Sequence, residues 1–117
     1  MVKVKPIILI IDDEEVILDS YRMILENENY QLITVSDVEF DLRLLNEVEP
    51  DLVFVDLMMP GVSGFELIKK IHEIDSSIVT IAISDLPTVS SAVESIKCGA
   101  YDFMPKPFSP DHKKRFR

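Results

Sequence analysis

Five side chains that could bind a metal ion or a phosphate follow short apolar runs of the chain. They are, in order, Asp12, Asp13, Asp56, Ser84 and Lys106. Three carboxylates gathered at one place would repel each other, and a divalent cation would remove that repulsion. Magnesium prefers hard oxygen ligands, and one magnesium ion together with the Lys106 ammonium would balance the charges of the three aspartates. Such a site could accept an anionic phosphoryl group.

Phosphoryl transfer needs mainly positioning and charge stabilisation, and an aspartate can act as the nucleophile that forms an acyl phosphate. In that chemistry Lys106 would hold one phosphoryl oxygen, and the Ser84 hydroxyl would donate a hydrogen bond to another. Each residue alone has an ordinary explanation, because an aspartate at a strand end commonly forms a turn or caps a helix. Their joint occurrence at the ends of four predicted strands favours a common site.

The elements that would position these residues alternate between apolar runs and amphipathic stretches. Continuous apolar runs predict three buried strands of a parallel sheet, at Ile7 to Ile11, Leu52 to Val55 and Ile78 to Ile83. Gln31 to Val35 and Tyr101 to Phe103 are weaker strand candidates.

Helical periodicity lies between these strands. The first helix follows Asp13-Glu14-Glu15, the second covers 38–48, the third follows Ser63 as its N-cap, and the fourth lies between Pro87 and Gly99. A fifth helix begins near Ser109-Pro110. This alternation predicts an α/β fold with a doubly wound parallel sheet, helices on both faces and right-handed crossovers. Sites in such sheets lie beyond the carboxyl ends of the strands, where all five side chains fall.

Length and composition are those of one globular domain. The chain has 117 residues, of which 47% are hydrophobic and 28% charged, and its net charge is −9. That charge argues against general nucleic-acid binding, which needs a basic surface. No apolar run approaches the roughly 18 residues of a membrane span, and no signal peptide is expected. Cys98 is the one cysteine, which fits a reducing compartment, so we expect a cytoplasmic protein.

Four segments carry motifs that occur together in a fixed order. They are Ile8 to Glu14, Pro50 to Gly64, Ile81 to Ser84 and Gly99 to Phe108. These segments contain an acidic pair, an Asp-x-x-Met-Pro-x-x-x-Gly loop and a Lys-Pro pair. In this respect the chain resembles the receiver domain of bacterial two-component response regulators. The resemblance implies a CheY-like, flavodoxin-like (βα)5 fold with strand order 2-1-3-4-5 over residues 1–117, with the last helix truncated.

The resemblance also implies a role for each residue of the site. Asp56 would be the phospho-acceptor, Asp13 a direct magnesium ligand, and Asp12 a ligand acting through water. The backbone carbonyl of Met58 would be a further ligand. Ser84 and Lys106 would occupy the hydroxyl and lysine positions of the family. Phe103 would be the aromatic switch residue, and the Lys106-Pro107 bond would be cis.

The same resemblance implies a partner and a mechanism. A sensor histidine kinase or a phosphotransfer protein would donate the phosphoryl group, and the domain would be a switch rather than a turnover enzyme. Phosphate on Asp56 would pull Ser84 and Lys106 towards it, and Phe103 would turn inward. The face of the fourth helix, fifth strand and fifth helix would then meet an output domain, a target protein or a second copy of the chain. Membrane contact and direct nucleic-acid binding by this domain are not expected.

Two departures from the family pattern stand out. Asp85 follows Ser84, where the family usually has a small residue, and its carboxylate could repel anionic phosphodonors. We therefore predict slow labelling by small phosphodonors and faster labelling of Asp85→Ala. The second departure is the C-terminal segment, where Phe108 and Phe116 supply fewer apolar side chains than a fifth helix usually has.

Three other functions are compatible with parts of the sequence. A binding module of the same fold that takes no phosphate is supported by Asp85 and opposed by the five site residues. An aspartate-nucleophile phosphatase is suggested by the run from Asp12 to Val16, but the second acid of that signature is Glu14 and no cap insertion is present. A flavin or dinucleotide binder is opposed by the acidic turn after Ile11, which lacks a glycine-rich loop.

Overall fold

The centre of the fold is a five-stranded parallel sheet. The computed structural model describes residues 5–25, 29–36, 40–59 and 61–106, apart from the side chains at positions 15–17, 24, 25 and 62. The strands are β1 (Ile7–Ile11), β2 (Gln31–Val35), β3 (Leu52–Asp56), β4 (Val79–Ser84) and β5 (Asp102–Pro105). All neighbouring strands are parallel and their order is β2-β1-β3-β4-β5. The predicted doubly wound order is therefore confirmed.

Four helices connect these strands in the described part of the chain. They are α1 (Glu15–Leu25), α2 (Leu44–Val48), α3 (Gly64–Ile74) and α4 (Val89–Cys98). The predicted fifth helix near Ser109 and the Lys106-Pro107 bond lie outside the described residues. A short antiparallel ladder of Met58–Met59 with Val62–Ser63 follows β3, and the sequence pattern did not predict it. Across the described ranges, no helix combines the length and apolar character needed to cross a membrane.

Side chains that alternate along the strands pack into two apolar clusters, one on each face of the sheet. Leu9, Val53 and Val55 belong to the cluster that includes Leu45 of α2 and Ile68 of α3. The opposite cluster joins strand and α1 residues, namely Ile10, Phe54, Ile83, Leu18 and Tyr21. Because the central strands are covered on both sides, their sequences are continuous apolar runs. The predicted helices on both faces of the sheet are confirmed.

The ends of α3 and α4 follow local chemistry. The Ser63 hydroxyl accepts a hydrogen bond from the Glu66 backbone N–H at 3.4 Å, which confirms the predicted N-cap of α3. In α4 the N-cap is Thr88, one residue after the predicted Pro87, and Thr88 forms a reciprocal capping box with Ser91. Gly99 ends α4 with a φ of 117°, a conformation that glycine adopts without steric cost.

The second helix is shorter than predicted. Periodicity indicated a helix over 38–48, whereas in the described residues α2 begins at Leu44, and Val38 lies outside them. The Asp41 carboxylate accepts a hydrogen bond from the Arg43 backbone N–H at 2.9 Å, which stabilises a local turn there. Aspartate commonly competes with helical hydrogen bonding in this way, so the turn delays the start of the helix.

The apolar positions of α4 lie at its surface. Val89, Val93 and Ile96 are exposed, and the fully buried side chain of the helix is that of Ser95. Ser95 donates a hydrogen bond from its hydroxyl to the Ala92 carbonyl at 2.8 Å, which satisfies it inside the fold. Val89, Val93 and Ile96 therefore form an apolar stripe that the described residues leave exposed.

Candidate functional site

The acidic residues meet because their strands are parallel neighbours in register. Ile11 pairs with Val55 across β1 and β3, so Asp12 and Asp56 follow at the same edge of the sheet. Asp56 in turn pairs with Ile83 of β4, and Ser84 pairs with Pro105 of β5. The carboxyl ends of four strands therefore bring these residues to one edge, as doubly wound sheets generally do.

Lys106 is the cation at the centre of this edge. Its Nζ lies 2.9 Å from Oδ2 of Asp56 and 3.0 Å from Oδ2 of Asp12. All three side chains are at most 2% exposed. Isolated charges are costly to bury, so this ion pairing is what allows the two carboxylates to lie inside the protein.

Backbone N–H groups hold the other oxygen of each buried carboxylate. The N–H of Glu14 donates to Oδ1 of Asp12 at 3.0 Å, and the N–H of Met58 donates to Oδ1 of Asp56 at 3.0 Å. Each carboxylate is thus fixed through one oxygen and directs the other towards Lys106. Met58 contributes this N–H to the site; the predicted role of its carbonyl as a metal ligand stays a prediction.

Burial and crowding change the proton affinities of the site. Burial raises the pKa of Asp12 to about 7 from its ordinary value of 3.8, although Lys106 opposes the shift. Burial also raises the pKa of Asp13, with the neighbouring Asp56 adding to the increase. Burial alone would lower the pKa of the Lys106 ammonium, but the hydrogen bond to Asp56, the close contact with Asp12 and the negative charges of those two groups raise it above its ordinary value. Negative charge is in excess here.

The residues present fit a divalent cation. Carboxylate oxygens of Asp12, Asp13, Glu14 and Asp56 all lie within 4.8 Å of one another. Oδ1 of Asp13 is buried and has no hydrogen-bond partner, and Oδ2 of Asp12 meets Lys106 without hydrogen-bond geometry. Buried polar oxygens normally have a partner, and a hard cation would supply one.

Ser84 lies at the same edge of the sheet, whereas Phe103 lies further back along β5, opposite Ala82 of β4. The Ser84 side chain is buried, and its Oγ accepts a hydrogen bond from the Leu86 backbone N–H at 3.1 Å. The Ser84 carbonyl accepts a hydrogen bond from the Lys106 backbone N–H at 2.8 Å, so the two residues are linked directly. Phe103 is half-buried against the cluster that contains α3. Ser84 therefore lies at the edge where the strand pattern predicts it, and the roles of Ser84 and Phe103 stay predictions.

Two further acids approach Lys106, and the sequence-based charge balance did not count them. Nζ of Lys106 lies 3.3 Å from Oε1 of Glu14 and 3.8 Å from Oδ1 of Asp85. From the sequence, Glu14 belongs to the acidic start of α1 and to the phosphatase-like signature, and its place directly after Asp12 and Asp13 was the signal that could have added it to the charge of this site. Asp85 was expected beside the site, and its carboxylate does lie there.

Comparison with known proteins places the fold and these motifs in one family. A sequence model of the response regulator receiver domain matches residues 8–114. The response regulator SaeR of Staphylococcus epidermidis is 34% identical over 103 residues, which are 88% of this chain and 44% of SaeR. The chain therefore spans less than half of that relative.

Two solved structures share the fold over nearly all of this chain. A CheY-like receiver domain protein of Methanospirillum hungatei has a TM-score of 0.85 at 28% identity, covering 96% of this chain and 90% of that one. The receiver domain of NtrX from Brucella abortus has a TM-score of 0.82 at 33% identity, covering 93% of this chain and 92% of that one. The family model spans most of the chain, so the chain belongs to the response regulator receiver domain family.

Proposed function

We propose that the domain's phosphorylation-dependent switching begins when Asp56 accepts a phosphoryl group from a histidine kinase or phosphotransfer protein. The observation that carries this proposal is the position of the Lys106 ammonium. Its Nζ lies 2.9 Å from the buried Asp56 carboxylate and 3.0 Å from the Asp12 carboxylate. A buried aspartate beside a fixed cation and further carboxylates is arranged for charge stabilisation, which is the main requirement of phosphoryl transfer.

The chemistry assigned to Asp56 is nucleophilic displacement at phosphorus. A carboxylate oxygen forms the new P–O bond while the P–N bond of phosphohistidine breaks, and the imidazole leaves with the electron pair and takes up one proton. Asp12, Asp13 and Asp56 would hold Mg²⁺ together with the Met58 carbonyl, Asp12 acting through water. Magnesium, when bound, supplies positive charge against the phosphoryl oxygens.

Lys106 and Ser84 connect the acceptor to the rest of the domain. Lys106 holds a phosphoryl oxygen after transfer, and the Ser84 hydroxyl exchanges its contact with the Leu86 N–H for a second phosphoryl oxygen. Because the Lys106 N–H donates to the Ser84 carbonyl at 2.8 Å, the two residues move together. Phe103 then occupies the space beside Ser84, and the α4 face changes its affinity for a partner.

The exposed stripe of α4 supports a partner on this face. Val89, Val93 and Ile96 are apolar, lie at the helical spacing of one face and are exposed. We assign this stripe, with β5 and the predicted fifth helix, to contact with an output domain, a target protein or a second copy of the chain. The domain then acts as a phospho-acceptor and switch rather than a turnover enzyme, and the family resemblance predicts a cytoplasmic location.

Mass spectrometry of the intact chain tests the acceptor. After exposure to a phosphodonor with Mg²⁺, we expect the mass of one phosphoryl group to be added to the wild-type chain. We expect this addition to be lost when Mg²⁺ is omitted and in the Asp56→Asn variant. Asp56→Asn is a matched control because asparagine keeps the shape of the side chain and removes the nucleophile. Labelling that persists in Asp56→Asn would place the acceptor elsewhere.

One observation favours a second function, a binding module of the same fold that takes no phosphate. Oδ1 of Asp85 lies 3.8 Å from Nζ of Lys106, where it adds negative charge at the entrance to the site. The same mass measurement separates the two functions, since such a module would stay unmodified beside a competent donor with magnesium present.

A further inference from the structure

Four carboxylates surround the single ammonium of Lys106, and they form two pairs. Asp12 and Asp56 are buried and lie 3.0 and 2.9 Å from Nζ, whereas Glu14 and Asp85 are 49% and 54% exposed and lie 3.3 and 3.8 Å away. An ammonium has three N–H groups and so donates to three acceptors at most. Asp85, at 3.8 Å, is beyond hydrogen-bonding distance and acts through its charge.

The exposed pair changes the charge of the site. Three aspartates would be balanced by one magnesium ion and Lys106, and Glu14 and Asp85 then leave two negative charges without compensation. Lys106 is the one cation that the described residues place beside these acids within salt-bridge distance. An anion that reaches Asp56 beside Lys106 therefore comes close to two half-exposed carboxylates, on a protein whose net charge is −9.

We propose that Glu14 and Asp85 form an anionic rim that selects the phosphodonor by charge. The rim disfavours small anionic phosphodonors and favours a phosphohistidine presented beside lysine or arginine side chains of a protein, which cancel the excess negative charge as the donor docks. This inference rests on the proposed function, because it concerns the entrance to the same acceptor. Glu14 and Asp85 are specificity-determining residues here, and neither takes part in bond making.

Two small donors of different charge separate a charge effect from a steric one. In acetyl phosphate, a dianion at neutral pH, the P–O bond to the acetyl oxygen breaks and acetate leaves with the electron pair. In phosphoramidate, a monoanion whose nitrogen is already protonated, the P–N bond breaks and ammonia leaves with the pair. Both form the same acyl phosphate on Asp56. Coulomb energy is proportional to the donor's charge, so removing one rim charge should accelerate the dianion more than the monoanion.

The experiment measures labelling rates of the full chain at pH 7 and saturating Mg²⁺. Asp85→Asn keeps the size of the side chain and removes its charge, and we expect it to accelerate labelling by acetyl phosphate roughly threefold to tenfold. The acceleration with phosphoramidate should be about the square root of that factor, and high salt should reduce both. Glu14→Gln should also accelerate labelling, provided that a magnesium titration shows this variant to be saturated with Mg²⁺ under the assay conditions. Glu73→Gln, at an exposed position of α3, is the control for net charge alone.

A phosphohistidyl peptide tests the partner side of the inference. Wild-type protein should take phosphate faster from a peptide whose phosphohistidine is flanked by lysines than from one flanked by serines. The double variant Glu14→Gln/Asp85→Asn should lose most of this preference.

Several results would overturn the rim. The rim is wrong if Asp85→Asn accelerates labelling by both small donors equally, or does not accelerate it. It is also wrong if Glu73→Gln accelerates labelling as much as Asp85→Asn does, or if wild type shows no preference for the lysine-flanked peptide. These outcomes leave Asp56 as the acceptor. Absence of magnesium-dependent labelling in wild type and every variant would instead overturn the proposed function itself.

Discussion

At the scale of single residues, the site contains buried carboxylates whose negative charge is only partly compensated. Asp12 and Asp56 are at most 1% exposed, yet each keeps its charge compensated by one backbone N–H and by Lys106. The compensation is incomplete, because burial raises the pKa of Asp12 to about 7. The carboxylates needed for chemistry are thus held at a cost to the stability of the metal-free fold.

This cost predicts that Asp12→Asn stabilises the metal-free domain at high pH. The folded-state pKa of about 7 lies above the ordinary 3.8, so between these two pH values the Asp12 carboxyl holds a proton in the folded state that it has lost in the unfolded state. Stability contributed by Asp12 is therefore present below pH 3.8 and is lost as the pH rises towards about 7. At pH 8 we expect Asp12→Asn to raise the free energy of unfolding by about 1–3 kcal/mol, as measured by urea denaturation without metal.

With magnesium present, wild type should become more stable than Asp12→Asn. Magnesium bound to the folded wild-type protein would stabilise it by mass action, and Asp12→Asn would remove one of the proposed ligands. The stabilising effect of Mg²⁺ on wild type should also be larger at pH 8 than at pH 6, since protons compete for the same carboxylates. An Asp12→Asn variant that is less stable than wild type at pH 8 without metal would contradict the account.

Most residues of the site could be predicted from the sequence, because the ends of parallel strands meet at one edge. That rule located Asp12, Asp13, Asp56, Ser84 and Lys106 without coordinates. It could not show that Glu14 turns towards Lys106, since a residue that follows a strand and precedes a helix is equally suited to the helix start. How far a side chain reaches depends on packing that periodicity does not record.

At the scale of elements, the start of α3 fixes the backbone of Asp56, the proposed acceptor. A Cβ added at Gly64 would lie 2.5 Å from the Asp56 carbonyl oxygen and 2.5 Å from the Leu57 Cα. Helix α3 can therefore begin directly against the end of β3 only because residue 64 has no side chain. The Ser63 N-cap and the short Met58–Met59 ladder hold the same turn.

Gly64→Ala should therefore disturb both stability and labelling. The added methyl group meets backbone atoms that cannot rotate away, so we expect a loss of about 1–3 kcal/mol in unfolding free energy. We also expect slower labelling of Asp56, because its backbone must shift. Urea denaturation and the rate of phosphoryl addition measure the two effects.

Gly61→Ala is the matched control. Gly61 has a φ of 71° but nothing within 4 Å of an added Cβ, so alanine there strains only its own backbone. It should cost about 1 kcal/mol and leave the labelling rate nearly unchanged. Equal effects of the two substitutions on labelling would show that the α3 contact does not position Asp56.

The strands were easier to predict than the helices for a physical reason. Central strands are buried on both faces, so runs such as Ile7–Ile11 are continuous and unambiguous. Hydrogen bonds between Asp41 and Arg43 form a turn before the start of α2, and periodicity cannot reveal such a turn. The apolar residues of α4 predicted a helix correctly, but their exposure shows that an apolar stripe need not face its own core.

At the scale of the whole molecule, β4 and β5 connect the acidic edge to the α4 face. Ser84 lies at the end of β4, and its carbonyl accepts the Lys106 N–H at 2.8 Å immediately after β5. Phe103 of β5 pairs with Ala82 of β4, two residues before Ser84. A displacement of Ser84 would therefore have a hydrogen-bonded path from β4 to β5, which contacts α4.

A phosphoryl mimic should reveal this transmission as a change in hydrogen exchange. With beryllofluoride and Mg²⁺ bound to wild type, we expect altered amide protection in α4 and β5 as well as at the site, because the Ser84 hydroxyl turns towards the mimic.

Ser84→Ala should still bind the mimic but lose most of the change in α4 and β5. Ser84→Thr keeps the hydroxyl and should retain that change. Equal changes in Ser84→Ala and wild type would show that the α4 face responds to charge at the site without the hydroxyl. No change in wild type would show that it does not respond at all.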